Sequence, residues 1–287
     1  MPIMRFDSIS EATEQYIACK PASKGKHGGR LSSCYKGRDD WRGGLSFEEV
    51  CHVAKHGSEP HAQRALALIE TIGADIELQS PVWVDAHAGA FPNVPAFLAG
   101  SPECMRRKTM EVSDRAPVKV FACVTSSAWV GPEQLETRGA AIMAAVLSLQ
   151  ASHPVELFLY TDLCGRADEC VVNAFERFSS ILITRIETQP LELSTAAWSL
   201  AHQGFARQIM FGPAYAKMGF NSGWGGDKLV GIEDIDNANS PRNKMMKEAL
   251  GMNDHDLMIP GAFISDLILS DPVQWVKNVL ASYQLAE

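Results

Sequence analysis

Three consecutive segments set the expected fold class of this chain: PVKVFACVT (residues 117–125), PEQLETRGAAIMAAVLSLQAS (132–152) and PVELFLYT (154–161). The first and third are short runs of β-branched and apolar residues, which is typical of strands buried on both faces. The middle segment is long enough for a helix, and Pro132 suits its first turn. This order predicts two parallel strands joined by a helical crossover, the repeating unit of an α/β sheet.

Further segments on both sides extend this unit. Residues 81–87 (PVWVDAH) and 181–187 (ILITRIE) are predicted as two more buried strands, and residues 190–210 as a helix. A last short strand is expected at 232–235, inside a Gly-, Pro- and Asn-rich stretch. We therefore predict an α/β protein with a mostly parallel sheet flanked by helices, in an order that resembles a degenerate von Willebrand A-like domain.

Both ends of the chain are predicted to be helical. A helix is expected at 8–18, and Ser46 with Glu49 forms a capping box for another that ends at Gly57. Others are expected at 60–72, 241–250 and 272–285. The predicted organisation is an N-terminal helical arm at 1–75 with a flexible basic loop at 20–44, an α/β core at 76–240, and C-terminal helices at 241–287 packed on that core.

Composition excludes several classes of protein. Apolar residues make up 46% and charged residues 21% of the 287, as in a globular protein with a sizeable core. No run of apolar residues is long enough to span a membrane, and the N-terminus lacks the apolar centre of a signal peptide. The cysteines number seven and form no CxxC pair, which favours reduced, scattered thiols. We expect a protein that stays in the cytoplasm.

Residues 20–44, here called the basic segment, carry most of the functional signal. The whole chain has a formal charge of −8, so a local cluster of cations indicates a specific anion site rather than general adhesion. The only acids within it are Asp39 and Asp40. Its cations are Lys20, Lys24, Lys26, Arg30, Lys36, Arg38 and Arg42.

Two aromatic residues lie among these cations. Tyr35 and Trp41 could stack on unpaired bases while the cations contact phosphates, so the segment favours binding of single-stranded nucleic acid. A solvated loop without a specific role is the alternative. A second phosphate-binding cluster is predicted at Arg106, Arg107 and Lys108. The other tryptophans lie in apolar runs and are expected in the core, except for a Gly-flanked Trp224; they are Trp83, Trp129, Trp198 and Trp275.

An enzymatic alternative comes from polar residues at predicted strand ends. Asp85, His87 and Asp162 could together form a metal-dependent hydrolase site, because open α/β sheets bind ligands at this edge. Thr125-Ser126-Ser127 lies where a von Willebrand A domain carries a metal-binding Asp-x-Ser-x-Ser, but Val124 precedes it and the Asp is absent. His52 and His56 have metal-ligand spacing without a third ligand.

Phosphate-loop, dinucleotide-binding and nucleophile-elbow motifs are absent from the sequence. We therefore predict a binding protein rather than an enzyme, with no cofactor and no metal. A structural or adaptor protein is the third alternative, and self-association into a homo-oligomer is left open.

Four stretches resemble a known family: Trp41-Arg42-Gly43-Gly44, Val94–Met105, Thr137–Gln150 and Val155–Asp162. They are similar to the Drc-type proteins of tailed phages, which are single-stranded-DNA-binding cofactors of phage-encoded RNA polymerases. The resemblance covers residues 40–165 and consists of packing and turn motifs. It implies binding of single-stranded DNA, recruitment of a phage-encoded RNA polymerase to melted promoters, and a location in the cytoplasm of an infected bacterial host. It assigns no residue a role.

Overall fold

Residue placement comes from a computed structural model, which describes residues 3–20, 42–73, 82–109, 117–127, 129–150, 153–164, 179–188, 191–217 and 240–284. The strands within these ranges are β1 (Ile3–Phe6), β2 (Val82–Ala86), β3 (Phe91–Pro92), β4 (Met105–Thr109), β5 (Val118–Cys123), β6 (Val155–Cys164), β7 (Ser179–Ile186) and β8 (Leu257–Ile259).

The helices of the same ranges are α1 (Ile9–Ala18), α2 (Phe47–His56), α3 (Glu59–Gly73), α4 (Val94–Leu98), α5 (Pro132–Gln150), α6 (Leu193–Ala201), α7 (Phe211–Lys217), α8 (Pro241–Leu250), α9 (Leu267–Ser270) and α10 (Pro272–Gln284). A six-residue π-helix, Phe205–Met210, connects to α7.

The larger sheet has the order β1-β7-β6-β5-β8. Three of its four strand pairs are parallel, and β6 with β7 is the antiparallel exception. Val120 at the centre of β5 pairs with Leu157 of β6 and Leu257 of β8. The prediction of a mostly parallel sheet flanked by helices is confirmed.

The core lies between this sheet and helix α5. Small residues dominate the middle of α5, so neighbouring helices approach closely: a Cβ atom added at Gly139 would lie 2.9 Å from Cβ of Ala201 in α6. The same hydrophobic cluster contains Val120 of β5, Ile142 of α5 and Val276 of α10. Burial of such side chains stabilises the fold by roughly 1.5–3 kcal/mol each.

The N-terminal helices are present as predicted, and they contribute side chains to this core. Strand β1, which the sequence did not predict, pairs with β7 along the edge of the larger sheet. Tyr16 of α1 and Ala65 of α3 are buried in the same cluster as Val120. The capping box of Ser46 and Glu49 is confirmed, with both hydrogen bonds formed.

Two predicted elements differ from the structure. Residues 81–87 contribute β2 to a separate three-stranded antiparallel sheet instead of a buried strand of the larger one. The helix expected over 190–210 is interrupted at His202, whose backbone is extended at φ −101° and ψ 128°. The His202 ring lies at this break, where its Nδ1 accepts a hydrogen bond from the backbone amide of Gly204 at 3.0 Å.

The strand expected at 232–235 lies outside the described residues. The C-terminal helices are confirmed at Pro241–Leu250 and Pro272–Gln284.

Gly43 follows the buried Arg42, and its neighbour Gly44 serves as the control in a prediction about stability. Gly43 and Gly44 both have positive φ, at 78° and 75°. A Cβ at Gly43 would lie 2.5 Å from Cε1 of His202, whereas one at Gly44 meets nothing within 4 Å. Gly43→Ala should therefore lower the free energy of unfolding by about 1–2 kcal/mol more than Gly44→Ala, because only the first adds a clash to the backbone strain. Urea denaturation of both variants measures this difference; equal losses would contradict the close approach.

Candidate nucleic-acid interface

The smaller sheet contains the exposed aromatic and cationic residues of the described chain that best fit a binding surface. Its order is β2-β4-β3, and both strand pairs are antiparallel. Arg106 of β4 is the central position, because it pairs with Asp85 of β2 on one side and Phe91 of β3 on the other. Trp83 lies two residues before Asp85, opposite Lys108.

The register places Trp83, Asp85, Phe91 and Arg106 on one face of this sheet, here called the aromatic face. Residues directly opposite each other across antiparallel strands share a face, and so do residues two apart on one strand. Trp83 is 43% exposed and Phe91 58% exposed. Their ring centroids are 5.4 Å apart with planes at 63°, so each ring supports the edge of the other.

Hydrogen bonds fix the polar part of this face. The Asp85 carboxylate accepts hydrogen bonds from the side-chain amide of Asn93 at 2.9 and 3.0 Å, and its Oδ1 lies 3.4 Å from Nε of Arg106. Asn93 also caps helix α4, because its Oδ1 accepts from the Ala96 amide at 3.3 Å. Arg106 is half-exposed and is therefore oriented by Asp85 while remaining accessible to an anion.

The loop between β2 and β3 is held against β4. Gly89 approaches the backbone of Arg106 so closely that an added Cβ would lie 2.2 Å from the Arg106 carbonyl oxygen. The His87 ring nitrogen Nδ1 lies 3.2 Å from the Pro102 carbonyl oxygen. Both contacts pre-organise the aromatic face, which lowers the entropy lost when a ligand binds.

The structure corrects the sequence interpretation of two tryptophans. Trp83 and Trp129 were expected in the core, but both are exposed, whereas Trp198 is buried as expected. Phe91 was not singled out at all. Apolar and polar residues alternate at Val84, Asp85, Ala86 and His87, and this alternation was the available sign of a sheet with one solvent-facing side.

The second predicted phosphate-binding cluster, Arg106, Arg107 and Lys108, lies on β4 of this sheet. Arg106 and Arg107 are exposed on β4, and Lys108 follows them in the same strand. Successive strand residues point to opposite faces, so Arg106 lies on the aromatic face and Arg107 on the other.

The basic segment is described only at its two ends. Lys20 lies 3.5 Å above the Phe47 ring and 3.8 Å from the Glu48 carboxylate, so it already has a cation–π partner and a weak ion pair. Arg42 is 3% exposed, which places it inside the protein rather than on a surface that a DNA strand could reach. The expected flexible loop lies outside the described residues, with Lys24, Lys26, Arg30, Tyr35, Lys36, Arg38 and Trp41.

The residues of the hydrolase alternative are not brought together. Asp85 lies on β2 of the smaller sheet and His87 in the loop that follows it, whereas Asp162 is buried within β6 of the larger sheet. Asp162 accepts hydrogen bonds from Thr125 Oγ1 at 2.8 Å and Cys123 Sγ at 3.0 Å. Burial and the nearby Asp162 charge raise the pKa of the Cys123 thiol, which therefore stays protonated.

Metal-binding geometry is also missing from the described part of the chain. No group of three or more His, Cys, Asp and Glu side chains lies close enough there to hold a metal ion. His52 and His56 are exposed on α2 with ring centroids 4.5 Å apart, and they have no third ligand among the described residues.

The fold and this surface define an α/β protein with a pre-organised aromatic and cationic sheet face. The chain belongs to the family described as a domain of unknown function, DUF7192, whose profile matches residues 2–286. No curated protein and no solved structure gives a significant match to it. Among the described helices, none is both long and apolar enough to cross a membrane.

Proposed function

We propose that this protein binds single-stranded DNA through the aromatic face, with the basic segment supplying further phosphate contacts. The observation that carries the proposal is the exposed Trp83–Phe91 pair next to the accessible guanidinium of Arg106. Base stacking on exposed rings contributes roughly 1–3 kcal/mol per base, and it requires bases that are not already paired. This arrangement therefore favours single strands over duplexes.

The charge distribution supports the same ligand. A chain of formal charge −8 repels a polyanion except where cations are concentrated. The basic segment and the run Arg106-Arg107-Lys108 are the two such places in the sequence. A single strand is flexible enough to bring its phosphates to such clusters while its bases lie on the rings.

The biological role that we propose is that of a phage transcription cofactor. The resemblance of residues 40–165 to the Drc-type proteins supports it, because those proteins bind single-stranded DNA and act with a phage-encoded RNA polymerase. In this role the protein holds the melted strand of a promoter and recruits the polymerase to it, in the cytoplasm of the infected bacterium.

A fluorescence-anisotropy titration tests DNA binding directly. Labelled oligo(dT) of about 20 nucleotides should bind at least about tenfold more tightly than a duplex of equal length, because the duplex offers no unpaired base to stack. Binding should not require Mg²⁺, and addition of Mg²⁺ should not shorten the oligonucleotide. Equal affinity for both forms would contradict the proposal, and Mg²⁺-dependent cleavage would favour the hydrolase alternative.

The salt dependence of binding should depend on the basic segment rather than on net charge. If about five cations each neutralise one phosphate, the slope of log K against log salt is about −3.5 for a single strand. Replacing Lys24, Lys26 and Arg30 with Ala should flatten this slope by about two units.

The matched control for this prediction is the pair Lys244 and Lys247 on α8, which should leave the slope nearly unchanged when replaced by Ala. A wild-type slope in the triple variant would place the phosphate contacts elsewhere, with Arg106, Arg107 and Lys108 as the next candidates.

A further inference from the structure

A second surface lies at the carboxyl ends of β5 and β8, where two loops are joined through their backbones. Ser126 and Ala262 form a parallel bridge. The Ser127 amide donates to the Ala262 carbonyl at 2.9 Å, and the Ala262 amide donates to the Thr125 carbonyl at 3.0 Å. These hydrogen bonds hold the two loops together shortly before Trp129 in one loop and Phe263 in the other.

The two loops expose large apolar side chains, here called the apolar edge. Trp129 is 79% exposed and Ile264 is 55% exposed, and Phe263 and Leu267 are also well exposed. Single exposed apolar residues are common, but a cluster that contains a tryptophan at this exposure is typical of an interaction site. Nothing in the proposed DNA-binding surface uses these residues.

The loops under the apolar edge are rigidly supported. The Asp266 carboxylate accepts from the Phe263 amide at 2.6 Å, and the buried Arg138 guanidinium donates to the Pro260 carbonyl at 2.7 Å. Val130, Leu135 and Ala262 form a small buried cluster beneath them. Pre-organised apolar anchors lose little entropy on binding, as expected for a docking surface.

Charge around the apolar edge selects the kind of partner. Exposed carboxylates follow the two loops in the chain at Glu133 and Asp271, whereas the guanidinium groups of Arg138 and Arg207, which contact the loops, are buried. This rim repels the phosphates of nucleic acid. It also disfavours a second copy of the chain, because a two-fold contact would bring like carboxylates together.

We propose that the apolar edge docks a cationic amphipathic segment of another protein. Apolar side chains of that segment cover Trp129 and Ile264, and its Lys or Arg residues meet Glu133 and Asp271. The apolar edge shares no residue with the aromatic face, so the proposal does not depend on DNA binding.

A synthetic peptide provides the probe. A labelled amphipathic helix of Leu and Lys, about 15 residues long, is titrated with the full chain beside a matched peptide with Glu in place of Lys. The cationic peptide should bind at least about tenfold more tightly than the acidic one. Trp129→Ala and Ile264→Ser should each weaken it about tenfold, as for anchors at an interface centre.

Two further variants separate the contribution of the carboxylates from that of the apolar side chains. Glu133→Gln combined with Asp271→Asn should weaken binding about threefold and reduce its salt dependence. Trp83→Ala should leave it unchanged. Because Trp129→Ala keeps the net charge, unchanged peptide binding by this variant would show adhesion to acidic surface in general and overturn the proposal. Sedimentation that shows a wild-type dimer dissociated by Trp129→Ala would also overturn it, with a second copy as the occupant.

Discussion

A chain with both Trp83→Ala and Phe91→Ala should bind oligo(dT) at least about 30-fold more weakly than the wild-type protein. Each ring is exposed and provides one stacking surface, and loss of a stack costs roughly 1–3 kcal/mol, so two losses at the lower limit give this factor. Affinity for duplex DNA should change little, because paired bases do not reach the rings.

The chain itself supplies the controls for this result. Trp129→Ala removes an exposed indole from another surface and should leave DNA affinity unchanged. Trp83→Phe combined with Phe91→Tyr keeps a ring at both positions and should retain most of the binding. A folded double-alanine variant with wild-type affinity would remove the aromatic face from the site and leave the basic segment as the sole candidate.

Mildly acidic solution should destabilise the protein, because protonation of His202 is disfavoured in the folded state. Its half-buried ring stacks on Trp198 at 5.7 Å between centroids and faces the His61 ring at 5.8 Å. Burial and the proximity of His61 lower the pKa of His202 to about 4 against an opposing hydrogen bond with the Gly43 backbone. Burial and Arg64 also lower the pKa of His61.

The sign of the effect follows from these depressed pKa values. Between about pH 6.5 and pH 4 the unfolded chain binds a proton at residue 202 and the folded chain does not, so the free energy of unfolding falls as the pH falls. The contribution of His202 is fully present above its unfolded pKa and is lost by about pH 4. From its pKa this loss amounts to about 3 kcal/mol, and His61 adds to it in the same direction.

Urea denaturation from about pH 7.5 to about pH 4.5 measures this loss. Carboxylates titrate in the same range, so the informative quantity is the difference between the wild-type chain and His202→Gln. Glutamine keeps an acceptor for the Gly204 amide but does not titrate, and its curve should be flatter by about 2–3 kcal/mol over the range. Parallel curves would show that His202 has the same pKa in the folded and the unfolded chain and would contradict the prediction.

Local sequence determined those elements whose stabilising contacts are local. The capping box of Ser46 and Glu49 joins residues three apart, so its sequence signature and its structure coincide. The segments 117–125, 132–152 and 154–161 likewise gave β5, α5 and β6, because a strand buried on both faces needs a continuous apolar run. The α/β class could therefore be predicted from the sequence.

Long-range contacts determined the features of the fold and of the candidate site that the sequence did not predict. The segments that form β1 and β8 are too short to be recognised as strands from the sequence. They form strands because β7 and β5 provide their hydrogen-bonding partners. The cation of Arg42 looked equivalent to its neighbours in the sequence, yet it is buried in the structure. Trp83 looked like a core residue, yet β2 pairs with β4 in a separate sheet that leaves the indole exposed beside Phe91 and Arg106. Sequence determined which residue types could bind a single strand, and only tertiary pairing decided which of them share an accessible face, because exposure depends on residues far apart in the chain.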